Sequence, residues 1–222
     1  MSPKTGNTQI HRILEIRPLS RSVFCVRMEK GDLIFHAGQH VAIGFPGENM
    51  VRDYSIYSGE RQPFLDLLVK AREIDEISVR LRACQQNDIV SLGVPTGDMV
   101  LENPKDDRLK YLFICTGTGI GPVHSMVISY PRLNYRIVHG ISRLDDRVDS
   151  GDYDTRRYIT CISQENSGDF FGRVTEYIRL QKIEPDTLCY ISGFPEMVFE
   201  VYHLLQLKGI ARTNIFTDLF FK

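Results

Sequence analysis

Three polar side chains stand close together in the stretch Met50–Glu60, which reads MVRDYSIYSGE. In an extended strand, Arg52 and Tyr54 point to one face and Ser55 to the other, with Asp53 between them. A guanidinium can bind phosphate, a phenol can stack on a planar ring, and a hydroxyl can bond a ring nitrogen. The stretch suggests a site for a phosphate-bearing aromatic ligand. The alternative is a half-buried strand in which Tyr54 packs on the core and Arg52 forms a surface ion pair.

A glycine-rich turn, ICTGTGIGP, is the second candidate for chemistry. It follows an apolar run directly and precedes a predicted helix. Gly117, Gly119 and Gly121 let the backbone come close to a ligand, and a helix amino terminus favours a pyrophosphate. The Walker lysine is missing, so nucleotide hydrolysis is not expected. The acidic residue expected about twenty positions after the usual dinucleotide fingerprint is also missing, so this is a different sort of dinucleotide turn. The alternative is that these glycines serve only the geometry of the turn.

The first half of the chain predicts a small antiparallel barrel. Short apolar runs are separated by Gly and Pro from Gln9 to about Glu102. The predicted strands are VFCVRME, HVAIGFP, RDYSIYS, PFLDLLVKA, IVSLGVP and DMVLE. Between the fourth and fifth of them, Ile74, Ile77 and Leu81 recur at helical spacing, which predicts a short helix.

The second half, which begins after the polar connector ENPKDDRLK, has a different pattern of predicted secondary structure. Predicted strands alternate with predicted helices, which indicates a parallel sheet covered on both faces, with ligands at its carboxyl edge. The strands are YLFICTG, YRIVHG, YITCIS, TLCYISG and NIFTDLFF; the helices are GPVHSMVISY, GRVTEYIRLQK and PEMVFEVYHLLQLKG. We therefore predict a β + α/β chain, with an antiparallel barrel domain at residues 1–102 and a parallel-sheet nucleotide-binding domain at residues 103–222.

Composition narrows the function classes. The net charge is −1, from 27 Lys and Arg against 28 Asp and Glu, so nucleic acid is not an expected partner. No apolar run is long enough to cross a bilayer and no signal peptide is evident, so we expect a cytoplasmic protein without a membrane partner. The five cysteines are scattered without a C-x-x-C pair, so we expect buried thiols and no metal site.

RDYS, TGTGIGP, SGFPEM and an aromatic carboxyl terminus, in that order, resemble the ferredoxin–NADP⁺ reductase superfamily over roughly residues 10–222. VPTGDMVL, VHG and GRVTEY are most similar to the compact bacterial ferredoxin/flavodoxin reductases. The resemblance implies that the barrel binds FAD and that the second domain binds NADP(H).

The resemblance also implies roles for the first motif. Arg52 would pair with the FAD pyrophosphate, Tyr54 would lie against the isoalloxazine, and Ser55 would bond near flavin N5. Asp53 is counted with them as a cofactor-binding residue. Further FAD contacts are expected from Leu68, Val69, Lys70, Glu76, Ile77 and Ser78. Ile74 stands where the family has a glycine, and acidic Asp75 and Glu76 near a phosphate are unfavourable for FAD unless they point to water.

For the nicotinamide nucleotide, the resemblance implies two groups of residues. The pyrophosphate and nicotinamide end would meet Thr116, Gly117, Thr118 and Gly119. The 2′-phosphate of NADPH would meet Ser142, Arg143 and Arg173, although Gln164 replaces a third arginine of the bacterial group. These residues favour NADPH over NADH.

Two positions near the carboxyl terminus complete the implied site. Ser192 stands where many relatives have a cysteine beside the reacting nicotinamide carbon. Phe220 or Phe221 would cover the flavin face opposite Tyr54 and gate access of the nicotinamide. The candidate catalytic residues are therefore Ser55, Ser192 and Phe220.

The function implied is hydride transfer from NADPH to FAD, followed by exchange of single electrons with ferredoxin or flavodoxin. Two alternatives remain open. One is an NAD(P)H:flavin oxidoreductase with free flavin as its substrate. The other is a non-catalytic flavin- or nucleotide-binding subunit, favoured by the absence of the glycine at Ile74 and of the cysteine at Ser192.

Overall fold

The computed structural model describes residues 9–220, which form two six-stranded sheets in succession. The first six strands are β1 (Gln9–Pro18), β2 (Val23–Glu29), β3 (His40–Gly44), β4 (Val51–Ser55), β5 (Phe64–Lys70) and β6 (Ile89–Leu92). They pair antiparallel in the order β4-β3-β6-β1-β2-β5. A bridge between Ile56 and Leu67 joins the two outer strands and closes the sheet, which confirms the predicted antiparallel barrel.

The prediction of one strand in this barrel is wrong. Asp98–Glu102 (DMVLE) runs as a connector, and the sixth strand is β1 at the start of the described chain. The hydroxyl of Tyr190 accepts a hydrogen bond from Glu102 N at 2.9 Å and donates to Val100 O at 3.2 Å. A side chain from the second sheet therefore satisfies backbone groups that a neighbouring strand would otherwise bond.

The predicted short helix is present as α1 (Glu76–Ala83), but one of its expected residues lies outside it. Ile77 and Leu81 are buried in the barrel core, as their spacing predicts. Ile74 precedes the helix and is 93% exposed, because the chain is still in a turn there. The helix therefore begins two residues later than the apolar pattern indicates.

β5 is buried on both of its faces. Leu65, Leu67 and Val69 point into the barrel core, whereas Leu68 packs in a cluster shared with the second half of the chain. Asp66 is also buried and accepts two hydrogen bonds from the Arg27 guanidinium, at 2.9 and 2.8 Å. β5 is therefore the barrel strand that brings side chains to the boundary between the halves.

The second sheet is entirely parallel, as predicted. Its strands are β7 (Tyr111–Thr116), β8 (Tyr135–Ile141), β9 (Tyr158–Ile162), β10 (Phe170–Phe171), β11 (Leu188–Gly193) and β12 (Ile215–Leu219), in the order β10-β9-β8-β7-β11-β12. Helix α2 (Ile120–Ser129) packs on one face, and α3 (Val174–Leu180) and α4 (Pro195–Leu207) pack on the other. The strand order reverses direction at β7, which is where parallel sheets open a ligand crevice. Within residues 9–220, no helix has the length and apolar character needed to cross a bilayer.

Helix α2 lies between the barrel and the second sheet. Its residues from Ile120 to Val127 are all buried. His124 Nδ1 donates to Tyr57 O at 2.7 Å, and Ser125 Oγ donates to Ser58 O at 2.7 Å. The chain after β4 is therefore bonded directly to α2, which holds the glycine turn before that helix close to the barrel.

The cysteines are free thiols, and four of the five are buried. Burial raises the pKa of Cys161 and of Cys189 to about 12. The thiols therefore act as apolar core side chains, as expected from the sequence.

Candidate functional site

Two of the cavities between the halves of the molecule are lined by the predicted site residues. The first, which we call the barrel cleft, measures about 370 Å³ and is lined by residues of β4 and β5 and by the end of the described chain. The predicted site residues that line it are Arg52, Asp53, Tyr54, Ser55, Leu68, Lys70, Thr118 and Phe220. The structure therefore brings most of the predicted flavin site together around one cavity.

The second cavity, which we call the edge cavity, measures about 480 Å³ and lies at the carboxyl edge of the parallel sheet. The predicted site residues that line it are Leu68, Lys70, Thr116, Gly117, Thr118, Ser142 and Arg173. Leu68, Lys70 and Thr118 line both cavities. Ligands bound in the two cavities would therefore meet at a shared wall.

Ser55 has the hydroxyl of greatest interest in the barrel cleft. Its Oγ is buried and makes no hydrogen bond with any residue that the structure describes. A Cβ at Gly121 would lie 3.3 Å from Ser55 Cβ and 3.7 Å from Leu68 Cβ, so the start of α2 packs directly against this wall. A buried hydroxyl without a partner costs free energy, and a ligand in the cleft that bonds it would remove that cost.

Arg52 and Tyr54 share a carboxylate, that of Asp75. Asp75 Oδ2 lies 3.5 Å from Arg52 Nε and accepts a hydrogen bond from the Tyr54 hydroxyl at 3.2 Å. Burial and the neighbouring carboxylate raise the pKa of Tyr54, so the phenol stays protonated. The guanidinium therefore already has an anion beside it in the absence of any ligand.

The carboxyl-terminal strand supplies the other wall of the barrel cleft. Phe220 follows β12, and its N–H donates to Gly193 O at 2.8 Å. Burial raises the pKa of the nearby Asp218 carboxyl, and His40 opposes this shift. Phe221, the other candidate for covering the flavin, lies outside the described residues.

The glycine turn forms a short 3₁₀ segment between β7 and α2. Gly117 has φ of 53°, a conformation that favours glycine. A Cβ at Gly119 would lie 2.5 Å from Ser192 O, so a larger residue does not fit there. The geometry of the turn therefore requires glycine at both positions.

Two buried side chains hold this turn in place. Ser192 Oγ donates to Gly119 O at 2.7 Å. His139 Nε2 donates to Gly117 O at 2.9 Å, while His139 Nδ1 accepts from the Tyr158 hydroxyl at 2.7 Å. Burial lowers the pKa of His139 to about 4, so the ring is neutral, as this pair of bonds requires.

The predicted phosphate-binding arginines differ in position. Arg173 lines the edge cavity beside Ser142, at the start of α3. Arg143 is exposed, does not line the cavity, and has its guanidinium 3.8 Å from the Glu165 carboxylate. The structure therefore places Arg173, and not Arg143, at the cavity wall.

Several predicted site residues line neither cavity: Val69, Glu76, Ile77, Ser78, Gly119, Arg143 and Ser192. Ser78 Oγ bonds within its own loop, where it accepts from Arg72 N at 3.1 Å and donates to Asp75 O at 2.9 Å. It shapes the turn before α1, and its predicted role toward FAD stays a prediction. The predicted catalytic role of Ser192 also stays a prediction, since its hydroxyl is directed at the glycine turn.

Four polar residues that line the barrel cleft were not proposed as ligand contacts from the sequence: His40, Arg72, Asp75 and Asp218. Asp75 was noted only as an unfavourable neighbour of a phosphate. Arg72 and Asp75 come just before the helix that begins in IDEIS, so proximity to that motif could have indicated them. His40 and Asp218 carry no comparable signal, because each is a lone polar residue at a strand position. The role of His139 in holding the glycine turn was also not predicted. A histidine inside an apolar strand is usually a core residue whose ring nitrogens are hydrogen-bonded within the protein.

Comparison with known proteins agrees with this arrangement. Residues 13–101 match a family model described as an oxidoreductase FAD-binding domain. The chain is 24% identical over 225 residues to a toluate 1,2-dioxygenase electron transfer component of Pseudomonas putida. It is 25% identical over 237 residues to the reductase component of a propane 2-monooxygenase of Mycolicibacterium smegmatis. Each alignment covers 94% of this chain but only 66% of the relative, so the chain spans slightly less than two thirds of these proteins.

Solved structures show the same fold over nearly the whole chain. A ferredoxin NADP⁺ reductase from Neisseria gonorrhoeae, with bound FAD and NADP, superimposes with a TM-score of 0.85 at 21% identity. That match covers 96% of this chain and 99% of the other. A ferredoxin-NADP⁺ reductase from Plasmodium falciparum, with 2′P-AMP, gives a TM-score of 0.83 at 18% identity and covers 96% of each chain.

Proposed function

We propose that the chain is a FAD-dependent NAD(P)H reductase of the ferredoxin–NADP⁺ reductase superfamily, because residues 13–101 match an oxidoreductase FAD-binding domain and the chain shares its fold with a ferredoxin NADP⁺ reductase. One observation carries the proposal. The barrel cleft and the edge cavity meet at a wall made by Leu68, Lys70 and Thr118, beside the unpaired hydroxyl of Ser55. Because the two cavities share these lining residues, a planar ring bound at that end of each cavity would lie near the other ring, as hydride transfer requires.

The residues of the barrel cleft fit FAD. Ser55 offers a buried hydroxyl without a partner, which matches a ring nitrogen. Arg52 already holds one anion, Asp75, and its guanidinium is suited to a diphosphate. When bound, FAD supplies the capacity to accept hydride and to release single electrons, which protein side chains lack. The protein orients the ring, excludes water around Ser55 and closes the cleft with Phe220.

The edge cavity fits a nicotinamide dinucleotide. The backbone of the turn from Thr116 to Gly119 lies where a pyrophosphate would bind, at the start of α2. We assign NADPH over NADH, because Arg173 and Ser142, the residues that the family resemblance implies for a 2′-phosphate, both line the cavity. Asp146 also lines this cavity, and its carboxylate would repel a 2′-phosphate. The assignment of NADPH therefore depends mainly on the positive charge of Arg173.

The electron acceptor would be a separate one-electron carrier, ferredoxin or flavodoxin. The two curated relatives are named as electron transfer and reductase components of oxygenase systems. These 222 residues hold no C-x-x-C motif for an iron–sulfur cluster, so the reduced flavin would pass its electrons to a carrier beyond these residues.

The direct test is spectroscopic. The purified chain, mixed with FAD and desalted, should absorb at about 450 nm, where oxidised flavin absorbs, and NADPH should bleach that band rapidly. Stopped-flow mixing with NADPH and with NADH would compare the two donors. A preparation that binds FAD but is bleached by neither nucleotide would contradict the enzyme function and favour a non-catalytic binding subunit.

Replacement of Arg173 tests the choice of nucleotide. Arg173→Gln should weaken NADPH binding by about tenfold or more, because one charge-assisted bond to the 2′-phosphate is lost. NADH, which lacks that phosphate, should bind with unchanged affinity. The measurement is the dissociation constant of each nucleotide by fluorescence titration.

The matched control for this variant is Arg156→Gln. Arg156 is an exposed arginine that pairs with Asp154, away from the edge cavity. Equal weakening of NADPH and NADH in Arg173→Gln would contradict a role in recognition of the 2′-phosphate.

A second function, reduction of free flavin as a diffusing substrate, is favoured by the Asp75 carboxylate beside Arg52. The negative charge of Asp75 would lower the affinity of the cleft for the diphosphate of FAD. Gel filtration decides between the two: FAD that elutes with the protein supports a resident cofactor, and FAD that separates from it supports a substrate.

A further inference from the structure

The Asp75 carboxylate points into the barrel cleft although it stands at the start of a helix. It occupies the residue before α1, where an aspartate commonly bonds the first free N–H groups of the helix. Here its side chain makes no such capping bond. It contacts Arg52 and Tyr54 instead, and only 10% of the side chain is exposed. The helix therefore does not explain the placement of this carboxylate.

The loop before α1 is bonded in a way that holds Asp75 in this position. Asp75 N donates to Arg72 O at 3.0 Å, and Asp75 O accepts from Ser78 Oγ at 2.9 Å and from Val79 N at 3.1 Å. Arg72 N donates back to Ser78 Oγ at 3.1 Å. The backbone of the residue is therefore restrained from both sides, and the contact with Arg52 is part of an ordered loop.

The charges of the barrel cleft are balanced with Asp75 in place. Its cations are Arg52, Lys70 and Arg72, and its carboxylates are Asp53, Asp75 and Asp218. A negatively charged diphosphate would add anions to this balanced set, close to the carboxylate that already lies on Arg52. Like charges at such short range repel strongly in a partly buried site.

We propose that Asp75 is an affinity-determining residue for the flavin: its carboxylate holds the anion position on Arg52, and the diphosphate of FAD binds only by displacing it. This inference rests on the proposed binding of FAD in the barrel cleft. Asp75 thereby lowers the affinity for flavins that carry a diphosphate, because a flavin without phosphate leaves the pair with Arg52 undisturbed. The free energy needed to displace Asp75 from Arg52 therefore weakens the binding of FAD but not that of riboflavin.

The test compares FAD with riboflavin, which has the same ring and no phosphate. Asp75→Asn keeps the size of the side chain and the capping ability of the residue but removes its charge. The dissociation constants for both flavins are measured on the full-length flavin-free chain by quenching of flavin fluorescence. Asp75→Asn should bind FAD about tenfold more tightly, with riboflavin unchanged, and added salt should reduce the gain.

The matched control is Glu73→Gln, which removes the same charge from an exposed residue two positions earlier. It should leave both dissociation constants unchanged. Asp75→Ser, which also suits the start of a helix, serves as a second variant, and a thermal melt shows whether each variant is folded.

Three results would overturn the inference. FAD affinity that stays the same or falls in both Asp75 variants would show that the carboxylate does not compete. An equal gain for riboflavin and FAD would show that Asp75 acts through the ring site beside Tyr54. If neither the native chain nor any variant binds FAD, the proposed function fails and the inference fails with it, whereas the first two results leave the proposed function intact.

Discussion

At the scale of single residues, the unpaired hydroxyl of Ser55 is the clearest sign of a ligand. Ser58, three residues later, offers a direct contrast. Ser58 Oγ accepts a hydrogen bond from Asp66 N at 3.0 Å and is buried. Both hydroxyls are out of water, but only that of Ser58 is satisfied within the protein. Among residues 9–220, no group bonds Ser55 Oγ to offset its desolvation, so a ligand in the cleft is the natural candidate for its partner.

This contrast predicts different results for two alanine variants. Ser55→Ala should leave the free energy of unfolding of the flavin-free chain unchanged or slightly raised. It should slow bleaching of bound flavin by NADPH by roughly tenfold to a hundredfold, since a bond at the reacting edge of the ring is lost. Chemical denaturation and stopped-flow absorbance measure the two effects.

Ser58→Ala is the control, and it should reverse the pattern. The variant leaves Asp66 N without its acceptor, so it should lose about 1 kcal/mol of stability while the bleaching rate changes little. A Ser55→Ala variant that bleaches at the native rate would remove Ser55 from the proposed chemistry.

At the scale of secondary-structure elements, a side chain from β8 holds the turn between β7 and α2. His139 lies inside the parallel sheet and bonds the Gly117 carbonyl and the Tyr158 hydroxyl, each through one ring nitrogen. Burial lowers its pKa to about 4, although the Gly117 carbonyl acts in the opposite direction. The turn that would receive the nucleotide therefore depends on a neutral imidazole.

The depressed pKa of His139 predicts how stability depends on pH. Between about pH 6.5 and pH 4 the unfolded chain binds a proton at this histidine and the folded chain does not. Stability should therefore be fully present above pH 6.5 and fall with decreasing pH, by up to about 1.4 kcal/mol per pH unit from this group. His139→Gln should show a shallower loss over the same interval in urea denaturation. Identical slopes in both proteins would mean that His139 is not the buried titrating group.

At the scale of the whole molecule, one carboxylate ties the barrel to the second sheet. The Arg17 guanidinium donates to both oxygens of Asp149 at 2.8 Å, and the Tyr57 hydroxyl donates to Asp149 at 2.9 Å. Burial would raise the pKa of Asp149, but its bonds with Arg17 and Tyr57 outweigh this and lower it. Together with the bonds that α2 makes to the barrel, this contact helps to fix the position of the barrel relative to the second sheet.

Loss of this tie should affect both stability and turnover. Asp149→Asn weakens the contact with Arg17 without strain at φ of 41°, because asparagine adopts this left-handed conformation readily. We expect a loss of about 1–3 kcal/mol in stability and slower bleaching by NADPH, with the dissociation constant of NADPH nearly unchanged.

Asp154→Asn is the matched control for this variant. Asp154 pairs with Arg156 and Arg157 at the surface and does not contact the barrel in these bonds. Denaturation and stopped-flow rates should stay near native values. If Asp149→Asn is destabilised but bleaches at the native rate, the contact holds the fold and not the relative position of the two cavities.

Much of the fold could be predicted from the sequence because its elements have strong local patterns. VFCVRME is the full length of β2, and the alternation of strands and helices after Tyr111 is observed in order. The error at Asp98–Glu102 came from a short apolar run in a segment whose backbone bonds the Tyr190 hydroxyl, 88 and 90 residues away in the chain. Such a partner has no local signature.

The sequence by itself determined most of the elements and the two motifs, because periodicity, glycine turns and neighbouring polar residues are properties of short segments. Only the tertiary structure decided which groups meet: Asp75 with Arg52, His139 with Gly117, and Asp149 with Arg17, 132 residues apart. These contacts depend on how barrel, helix and sheet pack together, and packing is set by the sum of many long-range interactions. The competition at Arg52 therefore became visible only when the loop before α1 was placed against β4.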